Sequence, residues 1–208
     1  MKLAVQGLQE DEESRLSDFA KESIKMLAGE SDRLSRLTEN LMTLARSDED
    51  DLPAYTAQVD MTSLCQKVAA QMTLLAAEKK LQLKQEIQDN LVTQGDEMAL
   101  SRLLIILLDN AMKYSPQQTT ITLRAAKVKT HLVLEVRDEG CGISDEDKQK
   151  IFDRFFRVDK ARSRSQGGLG LGLSLALAIV RQHGGSIKVL DNKPWGTVMY
   201  VKLPLEAK

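Results

Sequence analysis

Apolar residues recur along this chain with two different periods, and the change of period divides it into two parts. Over residues 1–46 they return every three, four or seven positions among charged residues, a stripe that predicts amphipathic helix. The members of the stripe are Phe19, Ile24, Leu27, Leu34, Leu37, Leu41 and Leu44. Because the stripe continues over several turns with no globular sequence around it, it favours a helical hairpin or an intersubunit bundle over a surface helix.

Beyond this segment, an acidic run over 47–53 ends in proline and predicts a linker, followed by a second domain over 54–208. Strands are predicted at 55–59, 81–87, 120–126, 132–138, 186–190 and 197–203, and helices at 61–79, 97–113, 145–152 and from about 172 to 182. In the first of these helices, the side predicted to be buried carries Leu64, Val68, Met72 and Leu75. Helices interspersed with antiparallel strands predict an α+β fold, a two-layer α/β sandwich preceded by a helical hairpin remnant.

Four glycines within six positions precede the last predicted helix. The run is Gly167-Gly168-Leu169-Gly170-Leu171-Gly172-Leu173. Glycine has no Cβ to keep a phosphate away, and it adopts positive φ without strain. A helix that begins here presents unpaired N–H groups and a partial positive charge to an anion. The run therefore indicates a phosphate-binding loop, although the same pattern also serves as a tight-packing device at a helix entry.

Three further motifs precede the glycine run. An apolar helix carries polar residues near its end at 107–116, an acidic-glycine turn follows a strand at 138–143, and phenylalanines alternate with charges at 151–159. In this order the four motifs resemble the N box, first glycine box, F box and second glycine box of the bacterial sensor histidine kinases, within the GHKL superfamily of ATPases. The resemblance covers residues 96–203, and the segment 33–46 likewise resembles the second helix of a kinase dimerisation hairpin.

The resemblance implies the Bergerat-type ATP-binding fold and binding of ATP with Mg²⁺. Asp138 would accept a hydrogen bond from the adenine amino group, and Asn110 would hold Mg²⁺ through its amide oxygen, because a hard cation prefers oxygen ligands. Lys113 would contact phosphate, Tyr114 would pack near the nucleotide, and Arg157 would join Asn110 and Lys113 in catalysis. The other implied nucleotide-binding residues are Gly140, Gly142, Ile143, Phe152, Gly168, Leu169, Gly170, Leu171, Gly172, Leu173 and Thr197. The simpler alternatives are that Asp138 only forms a turn, that Lys113 is a solvated residue at a helix end, and that Tyr114 is an aromatic residue of the core.

A basic loop joins the F box to the glycine run and contains Lys160, Arg162 and Arg164. It resembles the mobile lid that closes over the triphosphate, whereas the commoner meaning of such a run is a solvated basic loop. Because the loop leads directly into the glycines, we favour the lid, with the three phenylalanines of the F box as packing anchors.

Two departures from the family pattern bear on the chemistry. Family members often carry a second asparagine one turn before Asn110, where this chain has Ile106. The ATP-hydrolysing branches place a glutamate at that position to activate water, so Ile106 argues against a gyrase-like or chaperone-like ATPase. In addition, His131 and His183 are the only histidines, and neither lies in the His-Glu-Leu-(Arg/Lys)-Thr-Pro-like run that carries the acceptor. We therefore expect residues 1–46 to be a truncated hairpin without its acceptor, with a natural start at Met1 as the alternative.

Composition limits the remaining functional classes. The net charge of −1 gives no bulk reason to expect nucleic acid. No apolar run reaches the ~18–20 residues that cross a bilayer. The resemblance implies a soluble, cytoplasmic piece of a sensor that is anchored in the inner membrane. Cys65 and Cys141 lack metal-ligand spacing and fit reduced thiols, with Cys65 in the core.

The leading hypothesis is the ATP-binding catalytic part of a sensor histidine kinase, which transfers the γ-phosphate to a histidine absent from this chain in two-component signal transduction. Its expected partners are a response regulator with a receiver domain and, in the parent protein, a second copy in a homodimer. The alternative hypothesis is a non-catalytic, nucleotide-gated interaction module.

Overall fold

The computed structural model describes residues 20–31, 38, 42, 55, 57–158 and 170–205. The chain divides into two compact units, Met1–Arg46 and Ser47–Lys208. In the first unit, residues 20–31 are helical; Ile24 is half-buried and Leu27 is exposed. The other five residues of the apolar stripe and the predicted linker 47–53 lie outside the described residues. Within the described part of the chain, no helix combines the length and the apolar character that spanning a bilayer requires.

The second unit is a mixed sheet with helices packed against it, which confirms the predicted α+β sandwich. Its elements are β1 (Gln58–Asp60), α1 (Met61–Glu78), β2 (Gln82–Ile87), β3 (Val92–Gln94), α2 (Glu97–Tyr114), β4 (Thr120–Val128), β5 (His131–Arg137), a 3-10 turn (Lys150–Phe152), α3 (Gly172–Gln182), β6 (Ser186–Asp191) and β7 (Thr197–Pro204). Five strands form one sheet in the order β2-β4-β5-β7-β6, and β1 pairs with β3 in a second, two-stranded sheet. The strand β5 is therefore central, and it is buried along nearly its whole length.

The helices begin and end where local chemistry dictates. Asp60 caps α1 by accepting the Ser63 N–H at 3.0 Å. Asp96 caps α2 by accepting from Met98 and Ala99. At the other end of α2, Ser115 is extended because it precedes a proline, a position that disfavours helix. This stop fixes the last turn of α2, where the N-box side chains lie.

Leucine and other apolar side chains of α1 and α2 form the core with the inner face of the sheet. Buried residues of α1 are Met61, Leu64, Cys65, Val68, Ala69, Met72 and Ala76. The prediction of a buried Leu75 was wrong: its side chain is 47% exposed, and Ala76 takes the inward position. A 3.6-residue period makes both positions possible after Met72, so only packing against the sheet decides between them.

Three other predictions of secondary structure need correction. The segment 145–152 is a turn followed by the 3-10 turn and not an α-helix. Two of its hydrogen bonds have α-helical spacing, Lys148 to Ser144 and Ile151 to Asp147. Two such bonds are too few to offset the cost of helix nucleation. The strand near 55–59 begins at Gln58, and its partner β3 was not predicted because three residues are too few to show alternation. The strands are not all antiparallel, since β2 runs parallel to β4.

Candidate functional site

The turn after β5 holds a buried carboxylate. Asp138 is 6% exposed, and its Oδ1 accepts the N–H groups of Gly140 at 2.8 Å and Thr197 at 3.0 Å. Burial raises the pKa of Asp138, and these two hydrogen bonds oppose the increase. No described residue hydrogen-bonds to Oδ2. One oxygen is thus fixed by backbone donors, and the other is available as an acceptor for a ligand.

Glycine is required around this carboxylate because backbone approaches backbone. A Cβ on Gly140 would lie 2.6 Å from the Tyr114 carbonyl oxygen, which brings the end of α2 against the turn. A Cβ on Gly196 would overlap the Asp138 carbonyl, and Gly196 has a φ of +113°, which favours glycine. The end of α2, the turn after β5 and the start of β7 therefore meet at Asp138.

The N box and the glycine run meet about the N-terminus of α3. The point where a Cβ would lie on Gly172 is 3.5 Å from Cγ2 of Ile106 and 3.9 Å from Nδ2 of Asn110. The N-cap residue Leu171 makes no side-chain capping bond. The first N–H groups of α3 thus have no side-chain cap beside the Asn110 amide, an arrangement suited to anions. Ile106 packs against the core and offers no polar group.

Lys113 and Arg157, the two basic side chains of the predicted site, differ in whether a described residue pairs with their charge. Lys113 Nζ lies 2.5 Å from Oδ2 of Asp109, one turn earlier on α2, in a partly exposed ion pair. Nη2 of Arg157 is buried and has no hydrogen-bond partner among the described residues. A buried donor without an acceptor costs free energy, so an anionic ligand that reaches this guanidinium gains from pairing it.

The F box is tied to the glycine run through Phe155. Its N–H donates to the Gly170 carbonyl at 3.0 Å, and a Cβ on Gly170, whose φ is +72°, would lie 2.9 Å from the Phe155 carbonyl carbon. Phe152, Phe156 and Ile143 pack against the core as anchors, whereas Phe155 is 63% exposed. The predicted positions Gly168 and Leu169 and the basic loop lie outside the described residues, so only the ends of this connection are placed.

The remaining predicted residues surround the two halves of the site. Gly142 has a φ of +73° and faces the Gly196 carbonyl, and Thr197 is buried beside Asp138. Leu171 is buried, Leu173 is half-buried, and Tyr114 is 54% exposed. The structure thus brings Tyr114, Asp138, Gly140, Gly142 and Thr197 together at one end, and Asn110, Leu171 and Gly172 at the other.

Two residues that support Asp138 were not predicted. Nδ2 of Asn192 donates to the Asp138 carbonyl at 2.8 Å, and Gly196 packs against the same carbonyl. The sequence around them, Asn192-Lys193-Pro194-Trp195-Gly196, is typical of a turn. That signal locates a turn but does not show what the turn packs against.

The residues present fit a magnesium ion only if a nucleotide completes its coordination. The described residues contain no group of three or more His, Cys, Asp or Glu side chains that could hold a metal. Mg²⁺ bound to nucleotides needs only one or two protein oxygens, since phosphates and water supply the rest. The half-buried Asn110 amide beside α3 is suited to that part.

Neither histidine has the setting of a phosphoryl acceptor. His183 is 5% exposed at the end of α3; its Nδ1 donates to the Ile179 carbonyl and its Nε2 accepts the Asp96 N–H. His131 begins the strand β5, with Nδ1 3.2 Å from the Thr130 hydroxyl. The His183 ring is therefore a buried link between two helices, and the His131 ring lies on a strand rather than on a helix.

Known proteins resemble this chain over most of its length. Residues 95–207 match the family described as histidine kinase-, DNA gyrase B-, and HSP90-like ATPase. The chain is 41% identical over 185 residues to the sensor protein CiaH of Streptococcus pneumoniae, over 89% of this chain and 41% of CiaH. It is 33% identical over 187 residues to the sensor protein SrrB of Staphylococcus aureus, over 90% of this chain and 32% of SrrB. The chain therefore spans less than half the length of these relatives.

Among solved structures, full-length ShkA in complex with AMPPNP has a similar fold. The TM-score is 0.78 at 22% sequence identity, over 93% of this chain and 40% of the ShkA chain. At this identity the likeness concerns the fold alone.

Proposed function

Because the chain belongs to the family of histidine kinase-, DNA gyrase B-, and HSP90-like ATPases, we propose that it is the ATP-binding catalytic part of a sensor histidine kinase. The resemblance to this family that the four motifs predicted is confirmed by the family match and by two relatives that are sensor proteins. The complex of ShkA with AMPPNP, an ATP analogue, supports a triphosphate as the ligand. The alternative of a non-catalytic interaction module is not favoured.

The observation that carries the proposal is the oriented carboxylate of Asp138. With Oδ1 held by the N–H groups of Gly140 and Thr197, Oδ2 is left to accept from an exocyclic amine. Adenine presents such an amine where guanine presents a carbonyl, so this carboxylate selects adenine. A charge-assisted hydrogen bond of this kind contributes about 1.5–3 kcal/mol.

At the phosphate end, the chain supplies positioning and positive charge. The uncapped N-terminus of α3, Lys113 and Arg157 would neutralise the phosphates. The Asn110 amide would hold Mg²⁺, which would supply further positive charge at the phosphates. Phosphoryl transfer depends mainly on such positioning and charge stabilisation. With Ile106 in place of a polar residue, no side chain at that position activates water, which fits transfer to a protein acceptor rather than hydrolysis.

The partners follow from the relatives, which are named as sensor proteins. We propose that the longer protein acts as a homodimer in a two-component system, that its acceptor is a histidine on a dimerisation hairpin, and that a response regulator receives the phosphoryl group. We further propose a cytoplasmic position for this domain beside a membrane-anchored sensor part.

The test supplies an acceptor in trans. The chain is incubated with γ-labelled ATP, alone and with a separate helical hairpin whose first helix carries a His-Glu-Leu-Arg-Thr-Pro run and whose second helix repeats residues 33–46. We expect acid-labile label on the hairpin and none on the chain, and an Asn110→Ala variant of the chain should abolish the label. ATP binding without any label on the hairpin would favour the interaction module, and label on the chain alone would show that one of its own histidines reacts.

A further inference from the structure

The residue pair that follows the β5–β7 ladder makes one of its two hydrogen bonds through a side chain. The two strands are antiparallel, with Arg137 opposite Val198, so Asp138 lies opposite Thr197 on the next rung. The Asp138 N–H donates to the Thr197 carbonyl at 2.9 Å, as a regular ladder requires. The returning Thr197 N–H donates instead to the side chain of Asp138, at Oδ1. The rung thus exchanges a backbone acceptor for a carboxylate oxygen.

The Asp138 carbonyl does not receive the Thr197 N–H and instead accepts a hydrogen bond from Asn192. Its Nδ2 donates to the Asp138 carbonyl at 2.8 Å, 54 residues away along the chain. The loop that carries Asn192 is itself fixed: the Asn192 N–H donates to the Gly196 carbonyl at 3.1 Å, and Lys148 Nζ lies 2.7 Å from the carboxylate of Asp191. The amide is therefore presented to the Asp138 carbonyl by an anchored turn.

We propose that Asn192 is a positioning residue for adenine recognition, because its side chain satisfies the Asp138 carbonyl and leaves the Thr197 N–H free to hold Oδ1. Without the amide, the buried carbonyl regains the Thr197 N–H as its nearest donor and the carboxylate loses one of its two fixed bonds. The carboxylate then rotates more freely, and Oδ2 is presented less well to the ligand. This inference rests on the proposed contact between Asp138 and the adenine amino group.

The test compares ATP with purine riboside triphosphate, which lacks the 6-amino group, by calorimetry on the full chain. In the Asn192→Ala variant we expect ATP affinity to fall by about three- to tenfold, the range one hydrogen bond spans. The affinity for the analogue should change by less than about twofold on the same scale. Lys193→Ala is the matched control, because it truncates the exposed neighbour in the same turn and should preserve the ratio of the two affinities.

A double variant separates positioning from a general loss of structure. If Asn192 acts through Asp138, then adding Asn192→Ala to Asp138→Asn should leave the ratio of affinities where Asp138→Asn alone puts it. Equal weakening of both nucleotides by Asn192→Ala would overturn the inference and show a purely structural role. If Asn192→Ala does not fold at the assay temperature, Asn192→Leu makes the same comparison, because leucine keeps the size of the side chain and lacks the N–H donor.

The outcome also distinguishes this inference from the proposed function. A parent chain that binds ATP and the analogue equally well would overturn the role of Asp138 and the inference together. A parent chain that prefers ATP, with the preference lost in Asp138→Asn and intact in Asn192→Ala, would overturn only the positioning role.

Discussion

The ring of His183 stacks on the ring of Tyr55, with centroids 4.4 Å apart and planes 14° apart. The imidazole also links two helices, since Nδ1 donates to the Ile179 carbonyl in α3 and Nε2 accepts the Asp96 N–H at the start of α2. In this arrangement the ring is neutral, with its proton on Nδ1. Burial lowers the pKa of His183, and the bond to Ile179 and the charge of Asp96 oppose the decrease.

We therefore predict that the stability of the second unit falls as the pH is lowered below about 6.5, the ordinary histidine value. In that range the unfolded chain binds a proton that the folded chain excludes, so the free energy of unfolding decreases by up to about 1.4 kcal/mol per pH unit. Urea unfolding from about pH 7.5 to about pH 5.5, on either side of that value, measures the slope. His183→Gln should flatten it. A slope that this substitution leaves unchanged would assign the dependence to other groups.

The carboxylate of Asp138 should determine the choice of base. Asp138→Asn keeps the size of the side chain but offers a donor where adenine also presents a donor. We expect ATP affinity to fall about tenfold or more, equivalent to about 1.4 kcal/mol. Calorimetry with ATP and GTP measures the effect. Equal affinities of the parent chain for the two nucleotides would falsify this assignment.

Gly140→Ala should disrupt the site through the backbone. The new Cβ would lie 2.6 Å from the Tyr114 carbonyl oxygen and 2.8 Å from Oδ1 of Asp138, and the first of these is backbone that cannot rotate away. We expect the second unit to lose about 1–3 kcal/mol of stability, as for other overpacked positions, together with ATP binding.

Gly29→Ala is the matched control for this change. Gly29 is helical, lies in the other unit, and has nothing within 4 Å of its added Cβ. We expect the helix to gain up to about 1 kcal/mol and ATP affinity to stay unchanged. Comparable loss of ATP binding in both variants would show that close approach at Gly140 is not the cause.

Lys113 should contribute to phosphate binding and little to stability. Its ion pair with Asp109 is partly exposed, with 29% and 43% of the two side chains accessible, so Lys113→Met should cost about 0–1 kcal/mol of folding stability. The affinity for ATP should fall about tenfold, a loss of about 1.4 kcal/mol, while the affinity for adenosine stays unchanged. Asp109→Asn, which releases the lysine from its partner, should preserve ATP binding. Equal losses for ATP and adenosine in Lys113→Met would contradict phosphate contact.

The sequence by itself determined the features that depend on near neighbours. The end of α2 follows from Ser115 before a proline, the bare entry to α3 follows from its glycines, and the core position of Cys65 follows from a cysteine without metal-ligand spacing. The order of four motifs, each a run of a few residues, identified the family, and the match over residues 95–207 confirms it. Within each motif the signal lies within a few positions along the chain.

Only the tertiary structure decided the relations between distant segments. It placed β2 parallel to β4, chose Ala76 over Leu75 for the core, and brought Asn192 to the carbonyl of Asp138. The local pattern around Asn192 is compatible with any surface turn, and its role appears only where β6, β7 and the turn after β5 meet. The physical reason is that a hydrogen bond or a packed contact depends on distance in space, whereas periodicity and turn chemistry report only on distance along the chain.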